Sequence, residues 1–534
     1  MKLFFRLFFI AISTYLLTSC ARRGNPEGGP KDKDAPIMVT ATPPYKTIHF
    51  NKKEIKIYFD EYIVFKDLYK QLVVSPPLKT PLLITPQGTP TKRFSIKILD
   101  TLKPNTTYTL NFGSAIQDNN ENNKLESFKY VFSTGSYIDS LTLKGTTKNA
   151  LKKEIEKNVN VLLYKIDSTY NDSIVYKQKP KYVTSTLDSS NFVFSNLEKG
   201  KYLLVALKEE NSDYIFRPNT DKIGFYSDTI ALPADSVLTK PITIFKEILP
   251  YKFRSGKEIA KGKILFGFEG EKNPMKVSVL SKTPANFKSF FQLQKDRDTL
   301  VYWFTPFETD SLNFKITTQN FTDTTTVFLR KKKIDSLMIS SVGNSTLLLN
   351  DTLFLTTNNP IVKIDSSKFL LINKKDTLPV LHQLQKKSFN KLAVLFDKNP
   401  NEKYELKILP KAITDLYNTS NDTLTYRLNT KNIDDYGSVI LNVQNQKNYP
   451  LIIELITTGN EVLRKQFINT SKKVTFSLLE PNKYTVRAII DSNKNNKWDT
   501  GNFLTKTQPE EIIYLEKELN VRANWFVTEN FLIN

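Results

Sequence analysis

The sequence is short of the residues on which much of enzyme chemistry depends. It has one Cys and two His among 534 residues, which excludes sites built from clustered thiolate or imidazole ligands. It has only 17 Gly, and no phosphate-binding loop or nucleophile elbow is present. The two histidines, His49 and His382, stand in separate strand-like segments, where a structural role is the usual one. We therefore predict that the protein is not an enzyme.

Arginine is also scarce. The 76 basic residues comprise 64 Lys and only 12 Arg, against 54 acidic residues, for a formal charge of +22. Nucleic-acid readers rely on the bidentate guanidinium, so we predict no nucleic-acid partner. Two interpretations of the lysines remain open: an ordinary solvated surface, or attraction to a polyanion such as lipopolysaccharide or an acidic glycan.

Long apolar runs are absent except at the start of the chain. Lys2 and Arg6 introduce the apolar run Leu7 to Leu17, which is too short for a permanent bilayer-spanning helix but typical of a secretory signal. The tetrapeptide LTSC at residues 17–20 resembles the lipobox of bacterial lipoproteins, which are cut before the Cys and acylated on its sulfur. The resemblance implies a signal peptide over residues 1–19 and a lipid anchor, such as palmitate, on Cys20. Cleavage would lower the formal charge to about +20.

Residues 20–36 are rich in Gly, Pro and charge, and we interpret them as a lipidated tether. Their GGPKD stretch at residues 28–32 resembles the start of many lipoproteins from the Bacteroidota, which implies a lipid-anchored position in the outer membrane of the cell envelope. Lipoproteins exported to the surface in that phylum often carry acidic residues after the Cys. Arg22 and Arg23 stand there instead, so the periplasmic and extracellular faces both remain open.

Alternation of apolar and polar residues runs through the remainder of the chain. Ile55, Ile57 and Phe59 show the period of two that is typical of a strand with one buried face, and similar runs recur between clusters of turn residues. Helical turns are expected only at residues 68–72 and 148–156. This pattern predicts an all-β protein built as a tandem array of β-sandwiches.

Two internal repeats divide the array. Residues 105–118 match residues 401–415, and residues 194–211 match residues 476–493. They predict five modules in the order A, B, C, A′, B′, at residues 37–136, 137–245, 246–334, 335–432 and 433–534. Laid end to end, five such sandwiches would extend to about 130 Å, which is the geometry of a spacer.

The repeats also carry family resemblances. The first module resembles the bacterial Ig-like domain first named from S-layer proteins, on the strand end at residues 59–61, the turn at 104–108, the AIQD step at 115–118 and the FSTG end at 132–135. The fourth module keeps part of this pattern and is interpreted as a second Ig-like domain. The second and fifth modules resemble the transthyretin-like or carboxypeptidase-regulatory-like sandwiches. The resemblance rests on the F-x-x-L-x-x-G-x-Y phrase that begins at Phe194 and returns at Phe476 with Asn482 in place of the Gly. These folds serve many functions and specify none.

One loop has the oxygen spacing of a metal site. Asp491, Asn493, Asn495 and Asp499 occupy relative positions 1, 3, 5 and 9, which would let a tight loop surround Ca²⁺. No Gly stands at position 6 and no Glu at position 12, so the affinity would be low. The alternative is a structural hairpin loop, and we interpret the oxygen-rich segment 118–123 in that way. We predict that the protein requires no cofactor, and calcium is the one candidate ligand.

Tryptophans offer a second kind of candidate site. Trp303 and Trp525 could stack on a sugar, the alternative being packing in a core or interface. Thirteen tripeptides, each an Asp followed by Ser or Thr and then by an apolar residue or Thr, resemble the O-glycosylation sequon of Bacteroidota. The alternative is structural, since Asp favours the turn before a strand and Thr favours the strand itself.

Together these features predict a lipid-anchored outer-membrane protein with a structural, scaffolding or partner-binding role. Its partner would be a β-barrel complex for protein assembly, secretion or uptake. The alternative is a surface glycan-binding lipoprotein that recognises a cell-envelope glycan.

Overall fold

The computed structural model describes residues 31–270, 275–294, 297–318, 321–330, 332–343, 345–447 and 450–534. The predicted signal peptide and Cys20 lie outside these ranges. Strands make up nearly all of the regular secondary structure of the described residues, and they are arranged as successive pairs of packed sheets. The prediction of a tandem β-sandwich architecture is therefore confirmed.

The first module packs two sheets around the aromatic side chains of Phe94, Phe112 and Tyr130. One sheet has the order β1-β2-β5-β4, with β7 added to β2, and the other has the order β3-β6-β8. A single helical turn, α1, lies at Leu68–Gln71, as the sequence predicts. The strands are β1 Met38–Thr42, β2 Glu54–Phe65, β3 Val73–Ser75, β4 Leu83–Thr85, β5 Thr91–Lys97, β6 Thr107–Gly113, β7 Ile116–Asp118 and β8 Phe128–Ser133.

The second module pairs the sheet β11-β10-β13-β14, with β15 on β13, against the sheet β12-β9-β16. The helical turn predicted for residues 148–156 is wrong, because β9 continues to Asn149 and a loop follows, in which the Asn149 side chain accepts from two backbone N–H groups. A 3₁₀ turn occupies Asp172–Tyr176. The strands are β9 Leu141–Asn149, β10 Asn160–Lys165, β11 Tyr182–Ser185, β12 Asn191–Leu197, β13 Gly200–Lys208, β14 Lys222–Phe225, β15 Ile230–Leu232 and β16 Ile242–Ile244.

The third and fourth modules are also two-layered. The third contains sheets β17-β18-β21-β20 and β19-β22-β23, with strands β17 Lys252–Ala260, β18 Lys263–Glu269, β19 Lys276–Val279, β20 Ser289–Leu293, β21 Thr299–Phe304, β22 Ser311–Thr317 and β23 Thr322–Phe328. The fourth contains sheets β24-β26-β30-β29, β25-β33-β31-β28 and β27-β32. Its strands are β24 Ile339–Val342, β25 Thr346–Leu347, β26 Leu353–Thr357, β27 Ile361–Ile364, β28 Phe369–Asn373, β29 His382–Ser388, β30 Lys391–Phe396, β31 Lys403–Ile408, β32 Ile413–Asp415 and β33 Leu424–Thr430, with a 3₁₀ turn at Ser366–Lys368.

The fifth module repeats the topology of the second. Its sheets are β36-β35-β38-β39, with β40 on β38, and β37-β34-β41, in which β41 is parallel to β34 as β16 is parallel to β9. After a 3₁₀ turn at Ile433–Asp435, the strands are β34 Gly437–Asn445, β35 Leu451–Thr457, β36 Val462–Ile468, β37 Lys472–Leu479, β38 Asn482–Ile490, β39 Ile512–Tyr514, β40 Leu519–Val521 and β41 Phe526–Ile533.

Equivalent hydrogen bonds mark both internal repeats. The buried hydroxyls of Tyr202 and Tyr484 donate to the backbone carbonyls four residues upstream, at 3.0 and 2.8 Å. The hydroxyls of Tyr108 and Tyr404 accept from backbone N–H groups five residues upstream, at 2.9 and 2.8 Å. The repeated tyrosines thus hold the same strand entries in both copies.

The end-to-end array expected from the sequence is wrong. Phe503 of the fifth module is fully buried in a cluster otherwise formed mainly by the second module, including Phe225 and Phe245. The outer face of the β36-β35-β38-β39 sheet would otherwise expose Ile452, Ile456 and Ile489 to water. Burying this apolar face brings the chain back onto its second module.

Candidate functional site

The junction of the second and fifth modules is built around residues 498–508, between β38 and β39. Phe503 contacts Phe225 edge-to-face, with ring centroids 5.6 Å apart. Its backbone N–H donates to the carboxylate of Glu247 at 2.6 Å, and burial raises the pKa of that carboxyl against the effect of this bond. Gly501 is required by close approach, since a Cβ there would lie 2.6 Å from the ring of Phe245. The loop therefore fits against the end of the second module and the first residues of the third.

An ion pair supports the same junction from the adjoining sheet. The carboxylate of Glu454 on β35 accepts from Nε and Nη2 of Arg487 on β38, each at 2.7 Å, and both side chains are almost completely buried. The remaining Arg487 nitrogen, Nη1, donates to the carbonyl of Leu151 in the second module at 2.8 Å. The Tyr514 hydroxyl donates to the same carbonyl. The buried Glu454–Arg487 pair therefore favours one arrangement of the fifth module against the second.

The loop predicted to bind calcium adjoins this junction. Asp491 is buried, and its two carboxylate oxygens accept from the backbone N–H groups of Asn495 and Asn496, at 3.0 and 2.8 Å. The side-chain amides of Asn493 and Asn495 donate to Asp499. Donor groups thus fill positions where a Ca²⁺ cage needs oxygens. This arrangement favours the structural alternative.

No group of three or more His, Cys, Asp or Glu side chains is placed to hold a metal within the ranges that the structure describes. The segment 118–123 is organised in the same way as the Asp491 loop. Asp118 accepts from four consecutive backbone N–H groups, those of residues 120–123. Its oxygens serve the hairpin, as the sequence interpretation proposes.

The two candidate tryptophans have different surroundings. Trp303 is 5% exposed, packs against Phe389 of the fourth module and donates from Nε1 to the carbonyl of Asn358 at 3.1 Å. The prediction that it stacks on a sugar is corrected, because its faces are occupied at the junction of the third and fourth modules. Trp525 is 55% exposed, with the Arg522 guanidinium 5.1 Å from its ring centroid.

A groove at the junction of the first and second modules forms a cavity of about 210 Å³. Aliphatic side chains and the two tyrosines Tyr69 and Tyr214 line it. Lys79 and Lys179 lie at its rim, where Nζ of Lys179 donates to the carbonyl of Leu78 at 2.8 Å and so links the modules. No acidic side chain lines it within the described residues.

The backbone of Tyr214, which lines the groove, is held in a strained conformation, with φ of 64°. The carboxylate of Glu209 accepts from the backbone N–H groups of Asp213 and Tyr214 and from the Asn160 amide, all at 3.1 Å. Burial, with a contribution from the negative charge of Asp213, raises the pKa of Glu209 to about 7. The carboxyl group that supports Tyr214 therefore has a pKa well above that of an ordinary glutamate.

Sequence reasoning missed the residues at these junctions. Phe503 lies in a loop, and Glu454 and Arg487 occupy strand positions that an isolated sheet would expose to water. The repeat offered one signal, since the equivalent loop of the second module, between β13 and β14, is shorter than the 491–511 loop. Cys20 and the predicted signal peptide lie outside the described residues, and within those residues the structure contains no helix long and apolar enough to span a bilayer.

The architecture defines a multi-module protein of β-sandwiches. Residues 32–134 match a family model described as "Bacterial Ig-like domain", which confirms the Ig-like resemblance of the first module. No curated protein sequence matches the chain.

Several solved structures match the chain at low identity. One is the surface layer protein SbsC, domains 1–6, with 11% identity, coverage of 91% of this chain and 67% of that chain, and a TM-score of 0.16. Another is SGBP-B of the Bacteroides ovatus mixed-linkage glucan utilization locus, in complex with a mixed-linkage heptasaccharide, with 11% identity, coverage of 68% and 88%, and a TM-score of 0.18. A third, the I9–I11 tandem from titin, has 7% identity, coverage of 52% and 100%, and a TM-score of 0.13. TM-scores of this size carry no argument about function.

Proposed function

We propose that the protein is a lipid-anchored scaffold of the outer membrane that holds a protein partner in the groove between its first two modules. The single observation that carries this proposal is the fixed geometry of the modules, which make side-chain contacts at their junctions. Phe503 is inserted into the second module, Trp303 is packed against the fourth, and Lys179 bridges to the first. A rigid body with an anchor at one end suits the presentation of a binding surface.

The groove suits a protein segment with an apolar side chain and nearby carboxylates. Its aliphatic lining would take the apolar group, and the Lys79 and Lys179 ammonium groups would attract the negative charge. We propose a β-barrel membrane complex as the source of this segment. The proposed role is binding rather than catalysis.

The test is purification of the lipidated chain from its own membrane in mild detergent, followed by identification of co-purifying proteins. We expect a β-barrel protein to be retained by the unmodified chain and lost on Tyr69→Ala. Tyr62→Ala is the matched control, because Tyr62 is a similarly exposed tyrosine of the first module outside the groove. Isolation of the unmodified chain as a lone species would contradict the proposal.

Anchoring has its own test. We expect Cys20→Ser to move the protein from the membrane fraction to the soluble fraction, and protease shaving of whole cells to show which face it occupies. An unchanged membrane fraction for Cys20→Ser would contradict the anchor.

Glycan binding stays as a second candidate because Trp525 is exposed beside a second exposed aromatic residue, Phe526. Retention on polysaccharide gels that Trp525→Ala abolishes would favour it. Unchanged migration on a broad panel would exclude it.

A further inference from the structure

The last strand, β41, forms one edge of the sheet β37-β34-β41. It pairs with β34 in parallel over eight residues, from Phe526 to Ile533, with no shift of register. Among the residues that the structure describes, no strand pairs with its other side, so β41 presents a regular backbone there.

The direction of the backbone groups follows from two hydrogen bonds. The carbonyls of Trp525 and Ile533 accept from β34-side N–H groups, those of Ser438 and Gln446, each at 2.9 Å. Because successive residues of a strand point their N–H and C=O groups to opposite sides, the odd-numbered residues of β41 face β34. The backbone N–H and C=O groups of the even-numbered residues therefore face the open edge. These four residues are all exposed: Phe526, Thr528, Asn530 and Leu532.

This edge lacks the usual protection against strand addition. Edge strands are commonly blocked by lysines, prolines or bulges, and β36, β37 and β29 of this protein each carry two adjacent basic residues. β41 has no Lys, Arg or Pro. Its one charged residue, Glu529, is paired with Lys517 at 2.5 Å. Phe526 and Leu532 are 72% and 46% exposed beside this open edge.

We propose that β41 pairs antiparallel with β41 of a second copy of this chain, about a two-fold axis at Glu529. In this register Phe526 lies opposite Leu532, Thr528 lies opposite Asn530, and Val527 lies opposite Phe531. Apolar side chains meet apolar ones and polar meet polar. Every N–H and C=O group on the open edge gains a partner, and the contact is closed by its own symmetry.

Other registers are less favourable. Moving the axis to Thr528 places Phe526 opposite Asn530, and moving it to Asn530 places Leu532 opposite Thr528. A shift by one residue places the open N–H and C=O groups of one copy opposite groups of the other copy that are already hydrogen-bonded to β34. The central register sets Glu529 against its own copy, but each carboxylate keeps Lys517 beside it, which offsets the like-charge contact.

Disulfide crosslinking tests the register in the full anchored chain. Residue 529 of each copy would form a non-hydrogen-bonded pair with Cα atoms about 4.5 Å apart, within the range of a disulfide. Glu529→Cys is expected to give a dimer on oxidation of membranes. Asn530→Cys is the matched control, because its diagonal separation of about 7–8 Å is too large for efficient bonding. The unmodified chain controls for Cys20.

A second measurement tests the edge itself. Thr528→Pro removes an N–H that faces the open side, and it leaves the bonds to β34 in place. We expect the purified chain to sediment as a dimer that Thr528→Pro converts to a monomer of nearly unchanged melting temperature, while Thr528→Ala stays dimeric. Phe526→Lys should also give a monomer, through removal of an apolar contact and addition of edge charge.

Three outcomes would overturn the proposal. They are a monomer band for oxidised Glu529→Cys, equal crosslinking of Asn530→Cys, and a crosslink from either variant to a different protein, which would mean that a heterologous strand occupies the edge. None depends on whether a β-barrel partner is found.

Discussion

Nη1 of Arg487 in the fifth module donates to the backbone carbonyl of Leu151 in the second module at 2.8 Å. The same guanidinium is held by Glu454 through two bonds of 2.7 Å, so one side chain connects a strand pair of its own module to another module 336 residues away in sequence. Lys465 also contacts Glu454, at 2.6 Å, but from an exposed position. The buried arginine therefore helps to fix the position of the fifth module relative to the second.

Arg487→Met is expected to destabilise the fifth module by about 3–5 kcal/mol, because it leaves Glu454 buried with an exposed lysine as its only ionic partner. Urea denaturation followed by tryptophan fluorescence measures the loss. The double variant Glu454→Leu/Arg487→Met should recover most of it, since an apolar pair needs no compensating charge. A loss below about 1 kcal/mol, the value of an exposed ion pair, would contradict the expectation.

Phe503→Ala is expected to destabilise the junction of the second and fifth modules by about 3–5 kcal/mol, as for other buried phenylalanines. Hydrogen exchange of β14 should accelerate, because Phe225 loses its contact with the Phe503 ring. Leu504→Ala is the matched control, since Leu504 is the exposed neighbour in the same loop. Equal exchange of β14 in both variants would show that Phe503 does not hold the junction.

The modules could be predicted because their information is local. Alternation of apolar residues in strands such as β2, and the repeated tyrosines Tyr202 and Tyr484, depend on contacts within one sandwich. The return of the chain onto its second module could not be predicted in this way. Glu454 and Arg487 occupy strand positions that face away from the core of their own sandwich, and only the partner module makes them buried.

The same distinction between local pattern and contacts between modules applies to the candidate sites. Asp491 was identified by spacing, and spacing alone cannot show whether its loop is closed by a cation or by N–H donors. Trp303 was identified by composition, and its burial depends on Phe389, 86 positions away in another module. The groove beside Tyr69 combines residues of two modules that share no sequence signal, so it emerges only from the fold.

Stability should depend on pH through Glu209, whose pKa burial raises to about 7 from an ordinary value near 4.5. The folded state then binds more protons than the unfolded state between about pH 4.5 and 7, so stability falls as pH rises through this window and levels off above it. Glu209→Gln mimics the protonated form and should flatten the dependence. Melting temperatures from pH 4.5 to 8 for both chains measure it, and parallel curves would contradict the assignment.

Asp491→Ala separates the two interpretations of the 491–499 loop. The carboxylate accepts two backbone N–H bonds while buried, so its removal leaves donors unsatisfied and should cost about 1–3 kcal/mol. If the loop is closed by these bonds, the loss is the same in EDTA and in excess CaCl₂, and EDTA does not alter the melting temperature of the unmodified chain. Asp376→Ala, at an exposed turn of the fourth module, controls for the loss of one surface charge. A calcium-dependent rise in melting temperature that Asp491→Ala abolishes would instead establish the metal site, because only a bound cation links those two observations.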